Sequence, residues 1–389
     1  MNGAPYAAPA AVTGLGKPAF IVGVVALVLC AVGGALNPTQ FFQSYLIAFL
    51  LWCGVALGCM AILMLLHLSG GAWGVVIRRP LEAATRTIPL LPVFFLPIIF
   101  GVRRIYIWAT PGHVMGHQAQ YLNVPFFIVR ALFYFLCWCT LPHFLNKWSL
   151  EQDRHPGYEV TRRLQLFSGP GLVLYGLTMT FASIDWIMSL EPHWYSSIFG
   201  MLIVIGQALS AMAFTIVIMC LLSKHAPMSK VLLPRHFHDL GKLLLAFVMI
   251  WAYFAFSQLL IIWAGNLPEE IPWYVHRLQT TWKSVSLLIV VFHFAVPFAF
   301  LLSRDLKRNA SKLAAVAAGL FFMRWADLYW MTAPEFHQGA LHFSWMDAAA
   351  PLALGGIWMG VYFWQLGKRP LLPLGDSHLQ QALGPGENE

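Results

Sequence analysis

Two aspartates set in otherwise apolar stretches, Asp185 and Asp327, are the residues of this 389-residue chain best placed to do chemistry. A charged side chain inside a membrane-length apolar run costs about 2.5 to 3.5 kcal/mol on insertion scales, so it is expected to have a partner or a proton to exchange. Arg324 precedes Asp327 by three residues and shares its helical face. Arg130 lies about two turns into another apolar run, at a depth suited to meeting Asp185. Counted at 1.5 Å per residue, both aspartates fall roughly 23 to 25 Å along their runs, in the outer third of a bilayer. Two chemistries fit these groups. One is a buried ion pair bracing neighbouring helices; the other is an acid that exchanges protons with a quinol headgroup or an outward path.

A second set of titratable groups lies at the opposite ends of the runs. His67 and His143 end two of them, Glu82 follows the Arg78-Arg79-Pro80 turn, and His236, His238 and Asp239 cluster where another begins. Imidazole and carboxylate titrate near neutral pH, so this set reads either as an inner proton entry or as ordinary solvated interface residues. His67 and His143 share a depth, but a bis-histidine haem lacks a second pair. His113 with His117, and His236 with His238, have metal-compatible spacing without a convincing third ligand. In the outer stretches, Glu269, Glu270, Trp273 and Tyr274, together with His193 and Trp194, mix carboxylates with aromatic rings. That mixture suits an interfacial aromatic belt or a docking surface for an outer partner.

The elements that must position these groups follow from composition. Hydrophobic residues make up 59% of the chain and Asp, Glu, Lys and Arg only 10%, against about 25% charged in soluble domains. A soluble multidomain enzyme is excluded and an all-α membrane protein expected. Apolar runs near 19–36, 42–67, 87–107, 124–143, 169–189, 197–222, 240–264, 282–302, 312–331 and 346–365 read as ten transmembrane helices. Eighteen of the 24 Lys and Arg fall on the N-terminal side of these runs. That asymmetry puts both termini in the cytoplasm and gives no reason to invoke nucleic acid. The first run is expected to stay as a helix rather than be cleaved as a lipoprotein signal, because Leu29 stands where a small residue should precede Cys30. None of the six cysteines sits in a CxxC spacing, which argues against disulfides, zinc, iron-sulfur ligation and covalent haem. The tails, 1–18 and 367–389, are expected to bury no core and to be mobile or partner-bound.

Asp185-Trp-Ile-Met-Ser-Leu-Glu-Pro192 matches Asp327-Leu-Tyr-Trp-Met-Thr-Ala-Pro334 in spacing, and Ile-Trp-Ala recurs at 107–109 and 262–264. Two matches in register point to an internal duplication. The membrane domain 19–366 then comprises two four-helix bundles, near 42–189 and 197–331, with 19–36 and 346–365 as peripheral helices.

Three long strings carry a family resemblance: Arg78-Arg-Pro-Leu-Glu-Ala-Ala-Thr-Arg86, Ser183-Ile-Asp-Trp-Ile-Met-Ser-Leu-Glu-Pro-His-Trp194, and Asp239-Leu-Gly-Lys242 running to Asn266-Leu-Pro-Glu-Glu-Ile-Pro-Trp-Tyr274. They resemble the second polysulfide-reductase-type (NrfD-like) integral subunit of bacterial Alternative Complex III, over nearly all of 19–365. The resemblance implies a cofactor-free subunit of the bacterial inner membrane, within a respiratory quinol:cytochrome c oxidoreductase complex. It supports assembly and, as a further role, proton translocation. The implied partners are a paralogous integral subunit, iron-sulfur and multihaem cytochrome c subunits and a haem-copper oxidase, with menaquinol as substrate and lipid around the spans. Asp185 and His143 fall where the family places its quinone-site or proton-path acid and histidine. Two alternatives stand beside this reading: a chain that itself binds and oxidises quinol, and an independent transporter.

Overall fold

Apolar runs without two-residue alternation fold as helices, and polar caps and prolines decide where they begin. Asn37 accepts the amide of Gln40 at 3.2 Å with Pro38 in the first helical position, and Asn123 accepts that of Phe126 at 3.0 Å ahead of Pro125. The computed structural model describes residues 6–110, 112, 116–337 and 339–384. Its long helices are α1 (Gly16–Leu36), α2 (Pro38–Ser69), α3 (Ala72–Thr85), α4 (Leu91–Phe100), α5 (Val124–Arg154), α6 (Tyr158–Trp186), α7 (Phe199–Ser223), α8 (Pro234–Gly265), α9 (Ile271–Leu278), α10 (Lys283–Ile289), α11 (Val296–Leu302), α12 (Ala310–Phe336) and α13 (Trp345–Leu366). A π-helical segment, Val290–Ala295, joins α10 to α11.

Among the described residues, nine helical units are long and apolar enough to cross a membrane, with α3–α4 and α10–α11 each counting once. Helix α12 is long enough at 27 residues, but Arg324 and Asp327 interrupt its apolar stretch. The fold is all-α and of multi-pass membrane type. Helices α2 to α6 pack as one bundle and α7, α8, α10–α11 and α12 as a second, with α2 against α7 along the seam. Helix α1 is peripheral and exposes most of its surface. Helix α13 is not: it packs on α1 and α2, and its Trp358 and Tyr362 meet Phe214 of α7 at 5.3 and 5.1 Å, so it covers the seam. Glycines make the α1–α13 approach close, since a methyl on Gly23 would lie 2.5 Å from the Ile357 amide nitrogen.

Gly16 at the start of α1 abuts Phe363 near the end of α13, and the Leu371 amide donates to the Tyr6 carbonyl at 2.8 Å. Both ends of the described chain thus lie on one face, the near face, opposite the far face. Three helices reach further toward the near face than their apolar runs indicate: α3 starts at Ala72 instead of 87, α5 runs to Arg154 instead of 143, and α6 starts at Tyr158 instead of 169. A turn made by Gly70 and Gly71, at φ 63° and 90°, sends the chain from α2 into α3. The C-terminal tail also differs from expectation, because Leu371, Leu372 and Ala382 are buried on that face.

Candidate functional site

Asp185 stands in the last turn of α6 and Arg130 two turns into α5, and the two side chains meet. The guanidinium donates from Nε to Oδ2 and from Nη2 to Oδ1, each at 2.9 Å, and the Tyr134 hydroxyl donates to Oδ2 at 2.7 Å. Arg130 Nη1 donates to the Tyr121 carbonyl at 2.9 Å, while the Tyr121 and Phe126 rings lie 3.9 and 4.3 Å from its Cζ. A bidentate pair with aromatic faces on the cation is the strong form of such a contact. It ties α5 to α6 inside the first bundle. Beyond it toward the far face, a cavity of about 350 Å³ is lined by Tyr121, His117, Glu191 and Trp194. Burial, and then the Asp185 charge, push the Tyr121 phenol well above its ordinary range.

The second pair is built differently. Arg324 and Asp327 lie on one helix, α12, and Arg324 Nη1 donates to Asp327 Oδ2. Gly206 of α7 leaves the space for the guanidinium, since a methyl there would fall 2.3 Å from Cζ. Asp327 also forms part of the wall of an apolar cavity of about 610 Å³, together with Trp251 and Gln258 of α8. Among the described residues the buried Gln258 Oε1 has no hydrogen-bond partner, and Trp251 Nε1 lies near the Asp327 carboxylate outside bonding geometry. The Trp251 indole stands edge-on to His293 at 4.3 Å. His293 occupies the π segment, with both ring nitrogens buried and without a partner among the described residues. Val290 and Phe294 of the same π segment line the cavity, and π segments are often found at functional sites. The matched Asp-x6-Pro register therefore hides a structural difference: α6 ends one residue after Asp185, whereas α12 continues through Pro334 to Phe336.

On the far face, a cluster appears that the sequence reading missed. Arg277 of α9, fully buried, sits with Nη1 2.9 Å from Glu335 Oε1. It donates to the carbonyls of Trp273, Trp330 and Met331 and lies 3.6 Å over the Trp273 ring. Trp194 stacks on Trp273 at 4.7 Å and 12°. Burial, offset in part by Glu335, lowers Arg277 to about 10. Burial first, and then the Glu335 charge, raise Glu191 above the usual carboxylate range. The expected docking surface is thereby split. His193 and Glu269 are exposed and Glu270 partly so, but Trp273 and Trp194 are interior and Tyr274 is half-buried. Asp347 of α13 is a further buried acid missed from sequence, bound by Ser44 at 2.6 Å and Gln40 at 3.2 Å.

Near-face groups are also rearranged. The Arg78-Arg79-Pro80 stretch is helix rather than turn, with Pro80 inside α3. Glu82 is fully buried, accepting from Arg78 at 3.1 Å, Arg79 at 2.6 Å and Ser149 at 2.5 Å. The tail closes this network: Asp376 accepts from Arg78 at 2.7 Å, and Arg369 donates to Asn146 Oδ1 at 3.0 Å. Asp153 of α5 takes Arg79 Nη2. His67 is buried within the electrostatic reach of Arg78, Glu82 and Asp376. His143 instead lies on the exposed stripe of α5, and Asp239 pairs with Lys242 at 3.4 Å on the surface, so His67 and Glu82 come together while His143 and Asp239 stay apart from them. His236 uses both ring nitrogens on backbone, Nδ1 accepting from Leu233 N at 3.1 Å and Nε2 lying 3.2 Å from the Ala382 carbonyl, which disfavours a metal with His238. His113 lies outside the described residues. Among those residues, no three His, Cys, Asp or Glu side chains group as a metal site.

Comparison of the whole chain with family models and with curated proteins finds no match.

Proposed function

We propose that this chain is an integral subunit of a bacterial respiratory quinol:electron-acceptor oxidoreductase complex, one that supports assembly and conducts protons without a redox centre of its own. The reading rests on the resemblance of its three long strings to the second polysulfide-reductase-type subunit of Alternative Complex III. One structural observation supports it most: a buried carboxylate, Asp327, in the wall of an apolar cavity in the second bundle, beside an unpartnered glutamine oxygen. A lipid-soluble, proton-exchanging molecule such as menaquinol is the substrate chemistry that suits an acid in apolar surroundings. The same cavity favours a second reading, in which this chain itself holds quinol and passes electrons to centres on its neighbours.

The proposed place is the bacterial inner membrane, with the near face cytoplasmic because most Lys and Arg gather there. The proposed partners are a paralogous integral subunit, iron-sulfur and multihaem cytochrome c subunits, and a haem-copper oxidase. Gentle extraction of the tagged chain from native membranes tests this, with the co-purifying proteins identified and the optical spectrum recorded. Fixed-ratio recovery with c-type haem and iron-sulfur subunits is the expected result. A stable, colourless protein without partners would overturn the proposal and bring the transporter reading forward.

A further inference from the structure

A cavity of about 750 Å³ opens at the near face between α3, α5 and the end of α13, and its polar wall is cationic. Arg86, Lys147 and Arg369 line it. Glu82, behind the wall, is already held by Arg78 and Arg79, and Arg369 reaches it only at 3.4 Å. Arg86 spends its hydrogen bonds on neutral carbonyls, those of Gln365 at 2.8 Å and Glu82 at 3.3 Å. Lys147 is exposed and enters no ion pair among the described residues. Three cations therefore share one cavity whose described lining includes no carboxylate, and the acids around it, Glu82, Asp153 and Glu151, are each already engaged by other arginines. Repulsion among the three cations in partly buried surroundings favours an incoming anion. Burial, as the leading cause, lowers Arg369 below its ordinary range, and the Glu82 charge offsets it only in part.

The rest of the wall says which anion. Pro89, Phe144 and Leu150 are apolar. Along α5, the exposed stripe that carries Lys147, His143 and Thr140 continues into Leu136 and Leu132, exposed by 66% and 62%. Spacings of three and four residues keep these side chains on one helix face. A basic pocket at the headgroup level thus runs without a break into a lipid-facing apolar strip, a shape that a small soluble anion leaves mostly unused.

We propose that this cavity binds an anionic phospholipid, its phosphate held by Arg86, Lys147 and Arg369 and an acyl chain laid along Leu136 and Leu132. The site is separate from the buried aspartates and stands whether or not the chain belongs to a respiratory complex. Basic pockets between membrane helices are known to take acidic headgroups, each nearby Lys or Arg strengthening binding about fivefold.

Native mass spectrometry of the full-length, delipidated protein, titrated with phosphatidylglycerol or phosphatidylcholine, tests the proposal. The expected result is one tightly retained phosphatidylglycerol, at least about tenfold preferred over phosphatidylcholine, with about fivefold weaker retention in Lys147→Gln. Arg86→Gln should weaken it similarly. Because Arg86 also holds the end of α13, Lys147→Gln on the exposed stripe decides the matter if Arg86→Gln fails to fold. Equal retention of the two lipids, or retention indifferent to Lys147→Gln, overturns the site. Millimolar inorganic phosphate supplies the last arm: full displacement of the lipid by phosphate alone would assign the cavity to a small anion and overturn the lipid, whereas persistence of the lipid supports it.

Discussion

Gly58 of α2 lies directly against the backbone of Gln207 of α7: a methyl at residue 58 would fall 2.2 Å from the Gln207 carbonyl oxygen and 2.8 Å from the Ala211 methyl. This is the seam between the two bundles, and backbone atoms leave it nothing flexible to yield. Gly58→Ala is expected to force the bundles apart at a cost of about 1 to 3 kcal/mol. Gly176→Ala, where nothing among the described residues lies within 4 Å, is the control and should leave stability nearly unchanged. Thermal unfolding of the purified protein, followed by size-exclusion chromatography, compares the two; equal melting of both variants would contradict the seam as described.

What was legible in the sequence were features local to one run. Apolar length gave the helices, and the depth of Arg130 and Asp185 placed them within reach of each other. The near-face ends were misjudged because Arg78, Arg79 and Glu82 look like loop residues until Asp153 and Asp376, distant in sequence, neutralise them in the interior. The same holds for Trp273, whose ring reads as interfacial until Arg277 and Trp194 cover its two sides. Glu335 gave no signal and Glu191 read only as an acid in an interfacial aromatic stretch, since only the packing of two separate helix ends brings the two together.

The Arg130–Asp185 pair supplies a sharper test. Breaking a buried pair by removing one partner costs about 3 to 5 kcal/mol, whereas replacing both with apolar residues of similar size is often neutral. Asp185→Asn and Arg130→Gln should each lower melting temperature strongly, and Arg130→Met with Asp185→Leu should recover most of the loss. If Asp185→Asn leaves assembly and melting intact but abolishes proton movement in reconstituted vesicles, the pair acts as a conductor rather than a brace.

The tail contact makes a prediction about the near face. Asp376 holds the buried Arg78 at 2.7 Å, and its loss leaves that guanidinium with only Glu82 and Ser149. Asp376→Asn is expected to destabilise the protein by about 1.5 to 3 kcal/mol, the usual range for a hydrogen bond to a charged group. It should also expose 369–384 to limited proteolysis before the helices are cut. Unchanged cleavage kinetics would show that the buried leucines and the remaining tail contacts, such as Arg369 with Asn146, hold the tail without Asp376.

Glu191 gives the far face a pH signature whose sign is fixed. Its carboxyl is raised above the ordinary value of 4.5 by burial and by the neighbouring Glu335, so between that value and the raised one the folded protein holds more protons than the unfolded chain. Its contribution to stability is complete below about pH 4.5 and is lost as pH rises through the raised value. Glu191→Gln, neutral at every pH, removes the titration and should flatten the decline in melting temperature between weakly acidic and neutral pH, with the two proteins closest at the acidic end. Arg277, at about 10, stays charged throughout this window and contributes no slope. Parallel melting curves for the wild type and Glu191→Gln across the whole range would mean that Glu191 titrates alike in the folded and unfolded chain and that neither burial nor Glu335 raises it.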